Sequence, residues 1–252
     1  NLKNGSALSR TRPFRSPHHT VSTAGISGGG TVPRPGEISL AHGGVLFLDE
    51  LPEFQRSAME VMRQPIEDGV VTISRVNSTV TYPCNIMLVA AMNPCPCGHL
   101  TDARKACTCA PQEVQRYRSR LSGPMLDRID LHVEVPAVPF EDLNRDAPGK
   151  STLEMRREVA AARERQSVRF RNSPFRCNAE LSGREFEMHC KTGSDGRAFL
   201  SEAMDALNLS ARAYTRVLRI ARTIADLEDR PDIDTSHLAE AINCRALDRA
   251  RA

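Results

Sequence analysis

The sequence lacks an apolar stretch long enough to cross a bilayer. Its longest purely apolar run, Ile86 to Met92, has seven residues, whereas a membrane helix needs about 20. No signal peptide is visible after Asn1. These absences favour a cytoplasmic protein without a membrane partner. A chain that opens on Asn1 is also expected to be a piece of a longer protein.

An excess of charge of one sign is missing too. The net charge is only +3 at pH 7 over 252 residues, and the composition, 40% hydrophobic and 26% charged, is that of an ordinary globular protein. A net charge this small does not by itself imply a nucleic-acid partner. Acids are absent before Glu37, however, and that stretch contains five basic residues: Lys3, Arg10, Arg12, Arg15 and Arg34.

A phosphate-binding loop is the third absence. The segment Pro148-Gly149-Lys150-Ser151 resembles the end of such a loop, but the glycine required five residues before Gly149 falls at Asn144. No strand leads directly into this segment. We therefore interpret it as an ordinary loop.

Two adjacent carboxylates end an apolar run. Gly43-Gly44 precedes Val45-Leu46-Phe47-Leu48, and Asp49 and Glu50 follow. This pattern predicts a strand buried on both faces of a parallel sheet. Ligands of such sheets bind at the carboxyl ends of the strands, where Asp49 is placed to hold Mg²⁺ and Glu50 to orient a water. The alternative is a strand that ends in two solvated acids.

Further elements are predicted after this strand. Pro52 is placed to start a helix and Pro65 to stop it. Two β-branched runs within residues 70–82 predict a hairpin with the basic Arg75 at its tip. The run that ends before Asn93 predicts a second buried strand. Asn93 is then either an amide that orients water or a turn residue before a proline.

The next segment is basic and then alternates. Pro124 is placed to start a short helix that carries Arg128. Leu131 to Val135 predicts a third strand, with His132 and Glu134 directed outward.

The cysteines are unevenly placed. Four of the eight form two C-x-C pairs, which in a chain without secretory features suggests metal more than disulfides. We predict a tetrahedral Zn²⁺ site; the alternatives are unrelated reduced cysteines or a redox pair. The cysteines concerned are Cys95, Cys97, Cys107 and Cys109. His18 and His19 have no further ligands nearby and predict a polar loop.

The composition changes near Glu141, and helical periodicity dominates beyond it. Ser151-x-x-Glu154 has the form of a capping box, Ser210 is placed to cap a later helix, and Asp234 or Thr235 the last. We therefore predict an α/β domain over residues 1–142 and an all-α domain over residues 143–252.

The order of these parts resembles an AAA+ ATPase. Three segments are similar to the Mg-chelatase-like ATPases of the YifB/ComM family: Gly36–Glu50 (GEISLAHGGVLFLDE), Met92–Gly98 (MNPCPCG) and Ala221–Leu227 (ARTIADL). The resemblance runs from about Arg12 to Arg249. It implies a P-loop-type parallel sheet with helices on both faces, a C-terminal helical lid, and inserts at 16–36 and at the hairpin.

The resemblance also assigns roles to single residues. It implies bound ATP and Mg²⁺ besides the possible structural Zn²⁺. The matched positions are Asp49 and Glu50 (the acids that hold Mg²⁺ and activate water), Asn93 (the sensor that positions water), Arg128 (the arginine finger offered to a neighbouring subunit, with Arg120 as second candidate), Arg212 (the second sensor, on the lid) and Arg75 (the pore hairpin that touches DNA).

The implied function is that of a ring motor. Relatives of the ComM type are helicases that promote branch migration, so the resemblance implies an ATP hydrolase that forms a homo-oligomeric ring, a hexamer, on DNA. Family members carry the phosphate-binding loop and a Lon-like N-terminal region, which are missing here. We therefore expect this piece alone to hydrolyse essentially no ATP. The alternatives are a motor subunit of a magnesium chelatase and a non-catalytic module whose metal knuckle binds a partner.

Overall fold

The structure, a computed structural model, describes residues 11–75, 78–102, 104–136, 138, 149–207 and 209–245. The chain divides into two compact units, Asn1–Ile129 and Asp130–Ala252. The predicted boundary between residues 142 and 143 lies outside the described residues. None of the described helices combines the length and the apolar content that a bilayer-crossing helix needs.

The first unit mixes short strands and helices. In chain order its elements are β1 (Phe14–Arg15), α1 (Thr23–Ser27), β2 (Gly28–Gly29), β3 (Arg34–Pro35), α2 (Glu37–Leu40), β4 (Val45–Leu48), a 3-10 turn (Leu51–Glu53), α3 (Arg56–Asp68), β5 (Val70–Arg75), β6 (Ser78–Pro83), β7 (Met87–Ala90), α4 (Pro111–Ser119) and α5 (Gly123–Leu126).

A three-stranded parallel sheet, ordered β1-β4-β7, organises this unit. The central strand is the predicted acid-tipped one, so the α/β class with a parallel sheet is confirmed. Gly44 has a steric role here, because a Cβ at this position would lie 1.9 Å from the carbonyl oxygen of Pro13. The glycine thus permits β1 to approach β4 closely.

The central strand is fully buried on one face only. Leu46 and Leu48 are inaccessible to solvent, whereas Val45 and Phe47 on the other face are half-buried. The prediction of burial on both faces is therefore wrong for the second face. The second face of β4 is incompletely covered because the neighbouring side chain there, Phe14, is itself 65% exposed, although its ring stacks on that of Phe47.

The helix after the acids differs from the prediction at both ends. Pro52 lies in the 3-10 turn, and α3 begins only at Arg56. Pro65 lies inside α3 and is buried, and the helix ends at Asp68. Gly69, whose φ of 69° is left-handed, terminates the helix. Pro65 did not mark the end of the helix, because its ring packs into the core within α3.

Two antiparallel hairpins pack against each other. One pairs β2 with β3, and the other pairs β5 with β6. The Arg75 guanidinium donates to the Gly30 carbonyl (Nε to O, 3.2 Å), and the Tyr82 hydroxyl donates to the Pro33 carbonyl (3.0 Å). The two predicted inserts therefore share one surface.

The second unit is helical. Its described helices are α6 (Thr152–Arg169), α7 (Gly183–His189), α8 (Ser194–Ala206), α9 (Ala211–Leu227) and α10 (Thr235–Asn243), with a 3-10 turn at Asn178–Glu180. Helix α9 contributes Val217, Leu218 and Ala221 to the core. The caps follow the sequence signals: Ser151 with Glu154, Ser210, and Asp234 rather than Thr235.

The predicted third strand is wrong. Residues 131–135 form no strand but a single bridge between His132 and Arg245. The predicted alternation is absent too, because His132 is buried, whereas Val133 and Val135 are exposed like Glu134. The segment belongs to the helical unit, where the His132 N–H donates to the Cys244 carbonyl. Apolar spacing could not reveal this pairing, which joins distant parts of the chain.

Candidate functional site

The parallel sheet brings polar residues from three strands to one edge. His19 follows β1, Asp49 and Glu50 follow β4, and Asn93 follows β7. Because all three strands run in the same direction, their carboxyl ends meet at this edge. The structure thus brings Asn93 to the same edge as the two acids.

Backbone hydrogen bonds join the ends of β4 and β7. The Ala91 N–H donates to the Leu48 carbonyl, and the Leu51 N–H donates back to the Ala91 carbonyl, each over 2.9 Å. The chain on either side of the acid pair is therefore held by the neighbouring strand.

Glu50 has an unusual backbone conformation. Its φ of 53° and ψ of 46° are left-handed, which is uncommon for a residue other than glycine and is concentrated at functional sites. Its N–H donates to Asp49 Oδ1 (2.9 Å), and its carbonyl accepts from the Glu53 N–H (2.8 Å). Both carboxylates are exposed, and Asp49 Oδ2 is a hard oxygen ligand of the type that Mg²⁺ prefers.

His19 is the residue that sequence reasoning missed. Its Nδ1 lies 3.1 Å from Glu50 Oε2, whereas the sequence predicted only a polar loop. The sequence gives little indication that His19 lies at this site, because β1 has only two residues and shows no strand pattern. Only the parallel pairing of β1 with β4 brings His19 to the acids.

Helix α4 supports the segment that carries Asn93. The Arg118 Nε donates to the Pro94 carbonyl (3.3 Å), and Tyr117 of the same helix is buried. Burial raises the pKa of the Tyr117 hydroxyl, although a hydrogen bond with the Asn93 backbone opposes the rise. The Asn93 side chain itself is exposed.

The four clustered cysteines converge directly after Asn93. The Sγ atoms of Cys95, Cys97, Cys107 and Cys109 all lie within 4.8 Å of one another. Three of these separations are 3.4, 3.6 and 3.6 Å. Sulfur atoms around a tetrahedral zinc stand about 3.8 Å apart, since the Zn–S bond is about 2.3 Å. The donor set and its spacing therefore fit Zn²⁺.

The thiols of this cluster differ in acidity, because burial and hydrogen bonds with Cys97 raise the pKa of Cys107 and Cys109, although backbone hydrogen bonds oppose the rise. Hydrogen bonds from the backbone of His99 and Thr108 lower the pKa of the Cys97 thiol to about 5. A thiolate, not a thiol, is the form that binds metal. The loop is thus prepared to offer at least one charged sulfur.

The two arginine-finger candidates lie in different environments. Arg128 donates to the carbonyls of Arg63 and Pro124 (2.8 Å each) and to Glu67 (2.5 Å), and its side chain is 14% exposed. Arg120 is half-exposed and pairs with Glu53 over 2.7 Å.

A cleft of about 380 Å³ adjoins Arg120. Two further arginines, Arg56 and Arg116, line it together with Glu53. None of Asp49, Glu50 and Asn93 lines this cleft, so the arginines form a separate basic feature of the first unit.

The remaining predicted residues lie on the hairpin and in the helical unit. Arg75 is exposed at the end of β5, and the exposed Arg34 lies on the adjoining hairpin. Arg212 is exposed in the first turn of α9. It belongs to the second unit.

Two family descriptions match the chain. "Magnesium chelatase, subunit ChlI" matches residues 1–143, and "Magnesium chelatase, subunit ChlI C-terminal" matches residues 149–245. The chain belongs to the magnesium chelatase ChlI family. Domains of this family are AAA+-like, which agrees with the parallel sheet and the separate helical unit.

Three relatives are similar to nearly the whole chain. It is 47% identical over 239 residues to the uncharacterized protein YifB of Salmonella typhimurium, covering 94% of this chain, and 47% identical over 241 residues to the competence protein ComM of Haemophilus influenzae, covering 95%. It is 41% identical over 234 residues to the uncharacterized protein Rv2897c of Mycobacterium tuberculosis, covering 92%. The chain spans about half the length, 46%, of each of these relatives.

Membership of the magnesium chelatase family implies a nucleotide and Mg²⁺. Asp49 fits the metal, because its carboxylate stands at the exposed end of the central strand. The sequence contains no phosphate-binding loop that would hold the triphosphate.

Proposed function

We propose that the intact protein, of which this chain is a part, is an AAA+ ATPase ring motor that couples ATP hydrolysis to movement along DNA. The observation that supports it most is the meeting of Asp49, Glu50 and Asn93 at the carboxyl edge of two adjacent parallel strands. Phosphoryl transfer depends mainly on positioning and on charge stabilisation. Two acids and an amide at one edge provide the positioning.

The roles divide by chemistry. Asp49 would hold Mg²⁺, which neutralises phosphate charge when it is bound. Glu50 would orient the attacking water, with Asn93 beside it. Arg128, or Arg120, would contact the γ-phosphate of a neighbouring subunit in a cytoplasmic homo-oligomeric ring, and Arg212 that of its own. The phosphate-binding loop would come from another part of the intact protein, so this chain alone would be inactive.

The DNA partner is proposed from the paired hairpins. Residues 16–36 contain no acid, and neither do the described residues of the β5–β6 hairpin. Arg34 and Arg75 are both exposed there, so their charges are free of local carboxylates. Surfaces of this kind bind phosphate backbones in a salt-dependent manner.

Glu50→Gln in the intact protein tests the ATPase proposal. The carboxylate becomes an uncharged amide of the same shape, so we expect turnover to fall at least about 100-fold while ATP binding stays within about threefold. Steady-state hydrolysis measures turnover, and binding of a fluorescent nucleotide measures the affinity for ATP. Glu60→Gln, on the neighbouring helix, is the matched control. Undiminished turnover in the E50Q variant would refute the role of Glu50.

Arg75→Ala tests the DNA surface. We expect weaker binding of the intact protein to single-stranded or branched DNA, and a salt slope reduced by about one. Lys105→Ala removes an exposed charge outside the hairpins and serves as the control. Fluorescence anisotropy over a salt series gives both quantities. Absence of DNA binding at low salt would contradict the DNA proposal.

A second candidate function rests on the family descriptions. Both name magnesium chelatase, so the same ATPase could drive Mg²⁺ insertion into a porphyrin. The two candidates differ in what stimulates hydrolysis. Stimulation of the intact protein by DNA without porphyrin supports the first, and stimulation by porphyrin and Mg²⁺ without DNA supports the second.

A further inference from the structure

The ring of His19 contacts the proposed catalytic carboxylate directly. Its Nδ1 lies 3.1 Å from Glu50 Oε2. The ring is held on two sides, since the His18 ring centroid is 4.1 Å away and Phe54 meets it edge-on at 6.4 Å. We propose that His19 is a positioning residue, which fixes the Glu50 side chain in the orientation needed to direct the attacking water.

The backbone of Glu50 is already constrained at both of its polar groups. Its N–H donates to Asp49 and its carbonyl accepts from Glu53. What remains to be fixed is the side chain, which is 57% exposed. Within the described part of the chain, His19 is the side chain that hydrogen-bonds or pairs with this carboxylate. The donor must be an Nδ1–H, which either the neutral ring or the imidazolium supplies.

The contact is poorly suited to stabilising the fold. The two side chains are 29% and 57% exposed, and pairs of this kind add little to the free energy of unfolding. A left-handed, solvent-exposed acid that is nevertheless held by an oriented ring is better explained by chemistry at the carboxylate. Loss of His19 should therefore change turnover and leave stability nearly unchanged.

The test uses the intact protein and rests on the proposed ATPase function. His19→Ala is expected to lower kcat between about tenfold and a hundredfold, the loss associated with one hydrogen bond to a charged group, with the KM for ATP within about twofold. His19→Asn places an amide N–H near the position of Nδ1 and should restore most of the rate. Thermal unfolding of both variants should stay within about 2 °C of the wild type.

His42→Ala is the matched control. His42 is an exposed histidine that precedes β4, at the opposite end of that strand from Glu50, and its Nδ1 accepts from the Asn85 N–H, so its loss should leave kcat near the wild-type value. An active wild type with an inactive E50Q variant, but an unchanged or faster H19A variant, would overturn this inference and leave the ATPase proposal intact. An H19N variant no better than H19A would overturn it too. An inactive wild type, or an active E50Q variant, would instead refute the proposed function itself.

Discussion

At the scale of single residues, Asp226 is a buried charge that the helical unit depends on. Its carboxylate accepts from Arg169 (2.5 and 2.8 Å) and Asn178 (2.8 Å), and Arg222 lies 3.0 Å away. Asp226→Asn leaves two guanidinium groups without their counter-charge. We expect it to lower the free energy of unfolding by about 3–5 kcal/mol, as measured by urea denaturation.

The control lies three residues further along the chain. Asp229 pairs with Arg165 but is 75% exposed, and its φ of 59° is one that asparagine tolerates. Asp229→Asn should therefore change stability by less than about 1 kcal/mol. Equal losses for the two variants would show that burial does not decide the effect.

The same carboxylate predicts a dependence on pH. Burial alone would raise the Asp226 pKa, but hydrogen bonds from Arg169 and Asn178 and the charges of Arg169 and Arg222 lower it below its ordinary 3.8. Such a group stabilises the fold above its unfolded pKa, and the contribution disappears as pH falls through the lower folded pKa. The stability advantage of the wild type over the D226N variant should therefore shrink below about pH 4.

Sequence reasoning found residues whose chemistry is written in a local pattern. Asp49 and Glu50 follow an apolar run, and Asn93 follows another, so their common edge could be anticipated. His19 could not be found in this way, because its importance depends on pairing of the two-residue β1 with β4. A contact made by tertiary structure leaves no periodic signal.

At the scale of elements, the Cys loop should depend on metal. The four thiols have the spacing of a closed tetrahedral site, and a structural zinc contributes its binding free energy to folding. We expect about one equivalent of zinc per chain, and less than about a tenth after Cys97→Ser. Elemental analysis after gel filtration measures it. Cys177→Ser, outside the cluster, should retain the metal; less than half an equivalent in the wild type would reject the site.

Elements were predictable where local chemistry decides them. The Ser210 cap is a local hydrogen bond, to the Ala213 N–H, and the β5–β6 pairing joins neighbouring runs. The prediction failed where packing decides, as with Pro65 inside α3. It failed also at residues 131–135, where a distant bridge to Arg245 replaces a strand.

At the scale of the whole molecule, a ring arrangement would require each ATP site to be completed by a neighbour. A subunit with Glu50→Gln would lose its own ATP site but keep its arginine finger. A subunit with Arg128→Ala would keep its own ATP site but lose the finger. In a head-to-tail ring, mixing these two inactive forms of the intact protein creates interfaces at which an active site meets an active finger. Random mixing should restore about a quarter of the wild-type ATPase rate. Half of the subunits carry an intact Glu50, and half of those face a neighbour that carries an intact arginine finger.

The environment of Arg128 makes this experiment informative. Its guanidinium is bonded within the chain to Glu67, so contact with a neighbour's phosphate would require that pair to open. Repeating the mixture with Arg120→Ala distinguishes the two candidates, since only loss of the true finger is rescued by E50Q subunits. Mixing E50Q with an E50Q/R128A double variant supplies no intact acid and must stay inactive. Equal inactivity of every mixture would show that the arginine acts within its own subunit, or that no ring forms.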